Sequence, residues 1–424
     1  MSNKTKTPLL PKLRFPEFRG AEGWQSAPLS QLAERAKQKN RDEKITRVLT
    51  NSAEFGVIDQ RDFFDKDIAT QGNLESYCVV EMGSYVYNPR ISTSAPVGPI
   101  SKNKIGTGVM SPLYTVFKFK DDSNEFYEHY FETSSWHSYL RQASSMGARH
   151  DRMAISSDDF MAMPLPVSTS QEQQKIADCL TSLEELISAQ GRKVDALKTH
   201  KKGLMQQLFP CEGATQPRIR FPEFRSSGDW VVKKVNQLLF ETKTRNRNLE
   251  LGPVDVLSVS GEYGCVNQIE HLGRSYAGVS VKDYHVVERG DVVYTKSPLK
   301  KNPFGIVKEN KGKRGIVSTL YAVYRPYPDC SASYLDQFFS VAYNLNSYLQ
   351  PIVKKGAKND MKVNNADVLK GEISVPGFEE QKKIANFLGS MDAVITAETR
   401  VLETLRTHKK GLLQQLFPSP VNES

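Results

Sequence analysis

The chain has 424 residues, 39 % hydrophobic and 25 % charged, enough apolar content for two or three folded domains and too much for wholesale disorder. No stretch reaches the ~18 apolar residues of a membrane span, the first residues lack the apolar core of a secretory signal, and the five cysteines (Cys78, Cys179, Cys211, Cys265, Cys330) include no C-x-x-C pair. This argues against a membrane protein, a zinc ribbon and a disulfide framework, and makes the cytoplasm the expected compartment. The net charge of +9 favours a polyanionic partner and is unevenly spread: residues 12–167 hold 19 Lys/Arg against 20 Asp/Glu (19 − 20 = −1), residues 216–376 hold 24 against 16 (24 − 16 = +8).

From its N-terminus onward the chain is written twice. Pro11-Lys-Leu-Arg-Phe-Pro-Glu-Phe-Arg19 returns as Pro217-Arg-Ile-Arg-Phe-Pro-Glu-Phe-Arg225 with seven of nine residues identical, and Trp24 returns as Trp230. Residues 171–210 and 379–418 share 22 identities in 40, so the period is 379 − 171 = 208 residues. A period that long means two tandem domains and not a solenoid. The middles match only in short β-rich pieces: Glu54-Phe-Gly56 with Glu262-Tyr-Gly264, Val80 to Tyr87 with Val287 to Tyr294, Gly108 to Tyr114 with Gly315 to Tyr321, and Gly147-Ala-Arg149 with Gly356-Ala-Lys358.

After each middle comes a long helix. Ile176, Leu180, Leu183, Ile187, Gln190, Val194, Leu197, Lys201, Leu204 and Leu208 follow one another in unbroken steps of four and three. Ile384, Leu388, Met391, Ile395, Glu398, Leu402, Leu405, Lys409, Leu412 and Leu416 repeat the pattern, with polar breaks at the same two steps. A sustained period of 3.5 is a coiled-coil seam. Ser170 with Gln173 reads as the opening capping box, and Pro210 and Pro418 as the stops. Gly203 and Gly411, inside the last turns, suggest close helix approach. The boundaries read are a first domain at 12–167, a helix at 168–210, a second domain at 216–376 and a helix at 377–418. The fold class is α+β: two mixed α/β domains related by a pseudo-two-fold, separated by two long helices that form an antiparallel coiled coil, Ile176 near Leu416 and Leu208 near Ile384.

Candidate nucleic-acid contacts cluster in loops that recur in both halves. The first set is Arg90, Ser92, Thr93, Lys102 and Lys104, matched by Lys296, Ser297, Lys300, Lys301, Lys311, Lys313 and Arg314. The second is Arg149, His150 and Arg152, matched by Lys354, Lys355, Lys358, Asn359 and Lys362. A third pairs Arg35 to Arg47 with Lys243 to Arg247. Hydroxyls, amides and cations in Gly- and Pro-broken loops suit phosphate and base-edge contacts. A solvated loop carries the same residues; recurrence at matching places favours the functional reading. No phosphate-binding P-loop, no dinucleotide fingerprint and no metal spacing among the seven histidines is present, and Glu309-x-Lys311 is an isolated two-residue fragment of a nuclease motif.

One order of motifs occurs twice: Gly-Ala-basic, a Pro-x-Pro or Val-Pro step, Glu-Gln-x-x-Ile-Ala opening a long helix, and Lys-Lys-Gly-Leu-[Met/Leu]-Gln-Gln-Leu-Phe-Pro closing it. It resembles the DNA-specificity subunit of type I restriction-modification systems, over essentially the whole chain. The resemblance implies that each middle is a target-recognition domain reading one half of a bipartite site in double-stranded DNA, with the paired helices setting the spacing. It implies two methyltransferase subunits carrying S-adenosylmethionine, and restriction subunits with translocase and nuclease activity that use ATP and magnesium. This chain would then be non-catalytic, bind no cofactor or metal itself, and supply the address. A protein-binding scaffold with two peptide-binding domains, or an enzyme with an undetected site, remains an alternative at this stage.

Overall fold

The computed structural model describes residues 9–63, 74–121, 125–146, 151–211, 213–278, 280–296, 302–355 and 361–418, without the side chains of Phe63, Met146, Lys355, Met361 and Lys362. The chain divides into two compact units. Unit 1 is Met1–Gly191 with Val401–Ser424, and unit 2 is Arg192–Arg400. Each unit therefore owns a β-rich middle, the near part of its own long helix, and the far part of the other.

Unit 1 runs β1 (Gln25–Pro28), α1 (Leu29–Leu32), β2 (Ala33–Arg35), β3 (Leu49–Ser52), β4 (Gly56–Asp59), α2 (Gln60–Phe63), β5 (Cys78–Val80), β6 (Tyr85–Tyr87), β7 (Ile100–Lys102), β8 (Gly108–Met110), β9 (Thr115–Phe119), α3 (Phe126–Phe131), α4 (His137–Ala143), β10 (Ser145–Met146), β11 (Met153–Ala154), α5 (Ser157–Met161), β12 (Pro164–Val167) and the start of α6 (Ser170–Leu208). Its strands pair antiparallel as a sheet β2-β9-β6-β7 and as the ribbons β1-β12, β3-β4, β5-β8 and β10-β11. Unit 2 runs β13 (Val231–Lys234), β14 (Leu239–Glu241), β15 (Leu257–Ser260), β16 (Gly264–Asn267), α7 (Gln268–Leu272), β17 (His285–Val287), β18 (Val292–Thr295), β19 (Ile306–Glu309), β20 (Gly315–Val317), β21 (Tyr321–Pro326), α8 (Ala332–Ser340), α9 (Ala342–Leu349), β22 (Lys354–Lys355), β23 (Met361–Lys362), α10 (Asn365–Val368), β24 (Glu372–Val375) and α11 (Phe378–Leu416). Its sheet is β14-β21-β18-β19 and its ribbons β13-β24, β15-β16, β17-β20 and β22-β23. The diverged middles thus keep one topology, strand for strand.

The central strands explain why those short pieces survived. Successive strand side chains point to opposite faces, and β6 is buried on both. Tyr85 and Tyr87 enter the core that holds Phe117, Phe160 and Trp24, while Val86 joins Leu49, Val80 and Val116 on the other side. In β18, Val292 and Tyr294 enter one core and Val293 the other. Gly98 and Gly305 sit at φ 81° and 100°, and an added Cβ would lie 2.0 and 2.1 Å from the carbonyl oxygens of Asn88 and Thr295. Only glycine accepts that conformation at that approach.

Within each unit the two long helices run antiparallel. Ile176 and Leu180 share a core with Leu413, Leu416 and Phe417 in unit 1; Leu208 and Phe209 share one with Ile384 and Leu388 in unit 2. None of the seam residues named above, from Ile176 through Leu208 and from Ile384 through Leu416, is exposed. The polar breaks are filled by charge. Lys201 reaches Asp392 at 2.6 Å, Lys193 reaches Glu398 at 2.7 Å, and Lys409 bonds Glu184. Two local expectations are corrected. The cap of α6 is one residue earlier than Ser170: the Thr169 hydroxyl accepts the Glu172 amide at 3.3 Å, and the Gln173 side chain donates to the Ser168 carbonyl. At Gly203 and Gly411 an added Cβ meets nothing within 4 Å, so no close approach among the described residues offsets the cost of glycine there.

Candidate nucleic-acid interface

In unit 1 two of the loops proposed from sequence come together. Arg90 and Arg152 lie opposite each other in an antiparallel β-bridge, and Asp151 stands 3.9 Å from one guanidinium and 4.0 Å from the other. They border a cleft of about 480 Å³ whose walls are the β3–β4 hairpin, the turn before β9 and the segment Asn88–Ser94. Thr50, Asn51, Asn88, Ser92, Ser94, Ser111 and Tyr114 line it, and the Thr50 and Tyr114 hydroxyls meet at 3.0 Å. Amides, hydroxyls and two arginines around one opening are the groups that read base edges and hold phosphates. Ser92 bonds Ser94 at 3.2 Å, and Thr93 is exposed beside them.

Other candidates have internal work. Lys102 does not reach the surface: its side chain is 8 % exposed, 3.4 Å from Glu125, with its ammonium 5.8 Å from the Tyr85 ring centre. Lys104 is half exposed and paired to Glu128 at 2.8 Å. In unit 2, Lys311 is bound to Asp336 at 2.7 Å, and Arg314 to Glu288 at 2.9 Å and Glu250 at 3.4 Å. Lys296 is half-buried, and that burial pushes its ammonium below the usual value. Lys313 and Lys354 are exposed, and Lys354 stands opposite Lys362 across the β22–β23 ribbon. Arg149, His150, Ser297, Lys300, Lys301, Lys358 and Asn359, and the side chains of Lys355 and Lys362, lie outside the described residues.

What the sequence reading missed is the frame beneath these loops. Asn103 and Asn310 are wholly buried at equivalent positions, each donating its amide to loop carbonyls: Glu81 and Gly106 in one unit, Glu288 and Lys313 in the other. Asn40 and Asn246 likewise clasp Ile45 and Leu251 through both amide atoms. Their one sequence signal is that both pairs recur in the repeat, where flanking lysines and arginines mask it.

A second shared frame joins the lead-in to the helices. Arg14 makes a forked ion pair with Glu172 at 2.6 and 2.8 Å and donates to the carbonyls of Ala21 and Glu22; Arg220 repeats this with Glu380, Ser227 and Gly228. The Leu13 amide donates to the Gln415 carbonyl, and the Ile219 amide to the Gln207 carbonyl. Each lead-in is thus tied to the start of its own unit's helix and to the end of the other helix.

His129, Glu132 and Glu184 are close enough to hold a metal, but the Lys409 ammonium already stands between the two acids, 2.6 Å from Glu132. Burial works to raise the Glu132 carboxyl, yet the bond from His129 and the Lys409 charge outweigh it and hold it down at about 2. Glu132 therefore keeps its charge to lower pH when folded than when unfolded. The stability it contributes is present above its ordinary 4.5 and is lost as pH falls from there toward 2. The Glu132→Gln variant is expected to show a flatter fall in stability across that window, read from urea midpoints at stepped pH; an unchanged slope contradicts this.

No family model matches the chain. In sequence it is 24 % identical over 288 residues to a Methanocaldococcus jannaschii protein named as a type I restriction enzyme MjaX specificity subunit, covering 64 % of this chain and 62 % of that relative's length. Its fold is similar to the S subunit of a type I restriction-modification system from M. genitalium, with TM-score 0.56 at 11 % identity over 97 % of this chain and 99 % of that one. It is also similar to a chain from a study of complex assembly and conformational transition in the type I R-M system, with TM-score 0.51 at 14 % identity over 94 % and 98 %. The likeness to the two solved structures is one of fold, and in this chain that fold is a two-unit mixed α/β architecture with two 39-residue helices. No described helix is long and apolar enough to cross a membrane.

Proposed function

We propose that this chain is the DNA-specificity subunit of a type I restriction-modification complex, unit 1 reading one half of a bipartite duplex target and unit 2 the other. The observation that carries the proposal is the contrast between what the repeat keeps and what it varies. One frame, with the lead-in clasped to two helix ends and one strand topology above it, occurs twice, while the loops that frame displays differ. Two unlike readers on mounts of one design suit two unlike half-sites separated by a fixed gap. Arg90, Arg152, Ser92 and Thr93 in the first unit, and Lys296, Lys313 and Lys354 in the second, are the contacts we assign to DNA; Lys102 is assigned to structure. Methyl and phosphoryl chemistry is assigned to partners, methyltransferase subunits with S-adenosylmethionine and restriction subunits with ATP and magnesium, and this chain holds no catalytic residue. The site of action is the cytoplasm.

Mapping methylated adenines in host DNA with and without this chain tests the reading: a split motif should vanish with the gene, and an unchanged map overturns it. The seam is assigned the role of spacer. One extra heptad after Gln190 and another after Glu398 keep the seam in phase and lengthen each helix by about 10 Å, near three base-pair steps of ~3.4 Å. The same two half-sites with a gap about three base pairs longer are expected in the methylation map. New half-site bases, or an unchanged gap, count against the spacer role.

A further inference from the structure

Base reading leaves one recurring feature unexplained. The β3–β4 tip, Ser52-Ala-Glu-Phe-Gly56, and the β15–β16 tip, Ser260-Gly-Glu-Tyr-Gly264, are built alike. In each, the serine hydroxyl accepts the amide N–H of the tip aromatic, at 3.3 and 3.2 Å, and the closing glycine stands at φ 66° and 74°. In each the aromatic residue is more than half exposed, Phe55 60 % and Tyr263 61 %, with one side of the Tyr263 ring against His271 at 4.9 Å. The turns before β9 and β21 add Leu113 and Leu320, 55 % and 64 % exposed. In unit 1 the hairpin tip and that turn are two walls of the cleft that also carries Arg90 and Arg152.

Two domains that read different sequences have no reason to share a base-reading contact. A feature that recurs in both performs a task indifferent to sequence. Stacking on a base is such a task, because every base presents a π-face, and apolar side chains held at a groove can enter a base step and unstack it. Methyl transfer to an adenine inside a duplex requires that the base leave the stack. Resting on the reading of the chain as a specificity subunit, we propose that Phe55 and Tyr263, supported by Leu113 and Leu320, are wedges that enter the DNA duplex and hold open one base step in each half-site. Double-stranded DNA is the occupant of this rim because the rim continues into the arginine-bearing cleft of unit 1, and because residues 216–376 around its counterpart carry 24 − 16 = +8.

The test uses the full chain assembled with its methyltransferase subunits and a duplex bearing 2-aminopurine at the methylated adenine of one half-site at a time. Binding should raise the fluorescence at both positions. Phe55→Ala should cut the rise by about tenfold, the worth of one base stack, in the half-site of unit 1 alone, and Tyr263→Ala in the other alone. Phe55→Tyr and Tyr263→Phe should keep it. The order of preference among competing duplexes should stay unchanged. The wedge is overturned if both alanine variants retain the full rise, if either loses it at both half-sites, or if the rise is lost only because the variant no longer assembles with the methyltransferase, which would make the rim a protein contact. An unaltered complex without preference for any duplex would overturn the specificity-subunit reading as well.

Discussion

Replacing Glu172 with alanine is expected to destabilise unit 1 by about 3–5 kcal/mol, the cost of leaving a buried charge without its partner. The side chain is 1 % exposed, receives the Arg14 guanidinium through two bonds, and accepts the Trp24 indole N–H at 3.0 Å. The carboxyl lies below its usual range. Burial works to raise it, but the bonds from Arg14, Ser168 and Trp24 together outweigh burial. The equivalent Glu380→Ala should cost less, by about 1.5–3 kcal/mol for one hydrogen bond to a charged group, because Glu380 is bonded by Arg220 while the Trp230 indole nitrogen has no partner among the described residues. Of the three tryptophans, Trp24 and Trp136 belong to unit 1 and Trp230 to unit 2, so a Trp230→Phe background reports urea unfolding of unit 1 and a background with both Trp24→Phe and Trp136→Phe reports unit 2. Equal losses for the two variants, or no loss for Glu172→Ala, contradict the clasp.

That clasp shows what could and could not be read from residues alone. Arg14 and Glu172 stand 158 positions apart; the Phe-Pro-Glu-Phe lead-in was visible because it repeats, yet nothing local says that its arginine closes on the first turn of a helix so far away. The helices themselves were legible, because a 3.5-residue period over many turns has one physical meaning, and Ile176 lies in one core with Leu416 and Leu208 in the other with Ile384. The shared topology of the middles was only partly legible. Tyr85 to Tyr87 and Val292 to Tyr294 repeat because strands buried on both faces tolerate few substitutions, whereas the ribbons β10–β11 and β22–β23 share only Met153 with Met361 and the Gly-Ala step between their strands. Charge was the poorest guide. Lys102 and Arg90 look alike in a loop sequence, and only the fold separates a lysine closed over Tyr85 and Glu125 from an arginine 61 % exposed at a cleft. Arg90 and Arg152, 62 positions apart (152 − 90), meet through a bridge that no local signal announces.

The central claim is that each unit addresses one half-site independently. Its most direct test exchanges residues 216–376 for the matching segment of a relative with different specificity, with Arg220 restored in the exchanged segment and Arg14, Glu172, Glu380 and both helices left in place. The Arg–Glu clasp is the same in the two units, so the exchanged domain should seat without disturbing unit 1, and each base contact transferred carries ~1–3 kcal/mol of discrimination. Methylated adenines are then mapped across host DNA. The account predicts a target in which the half-site of unit 2 takes the donor's bases, while the half-site of unit 1 and the gap between them stay as before. A map in which both half-sites change, or neither does, contradicts it.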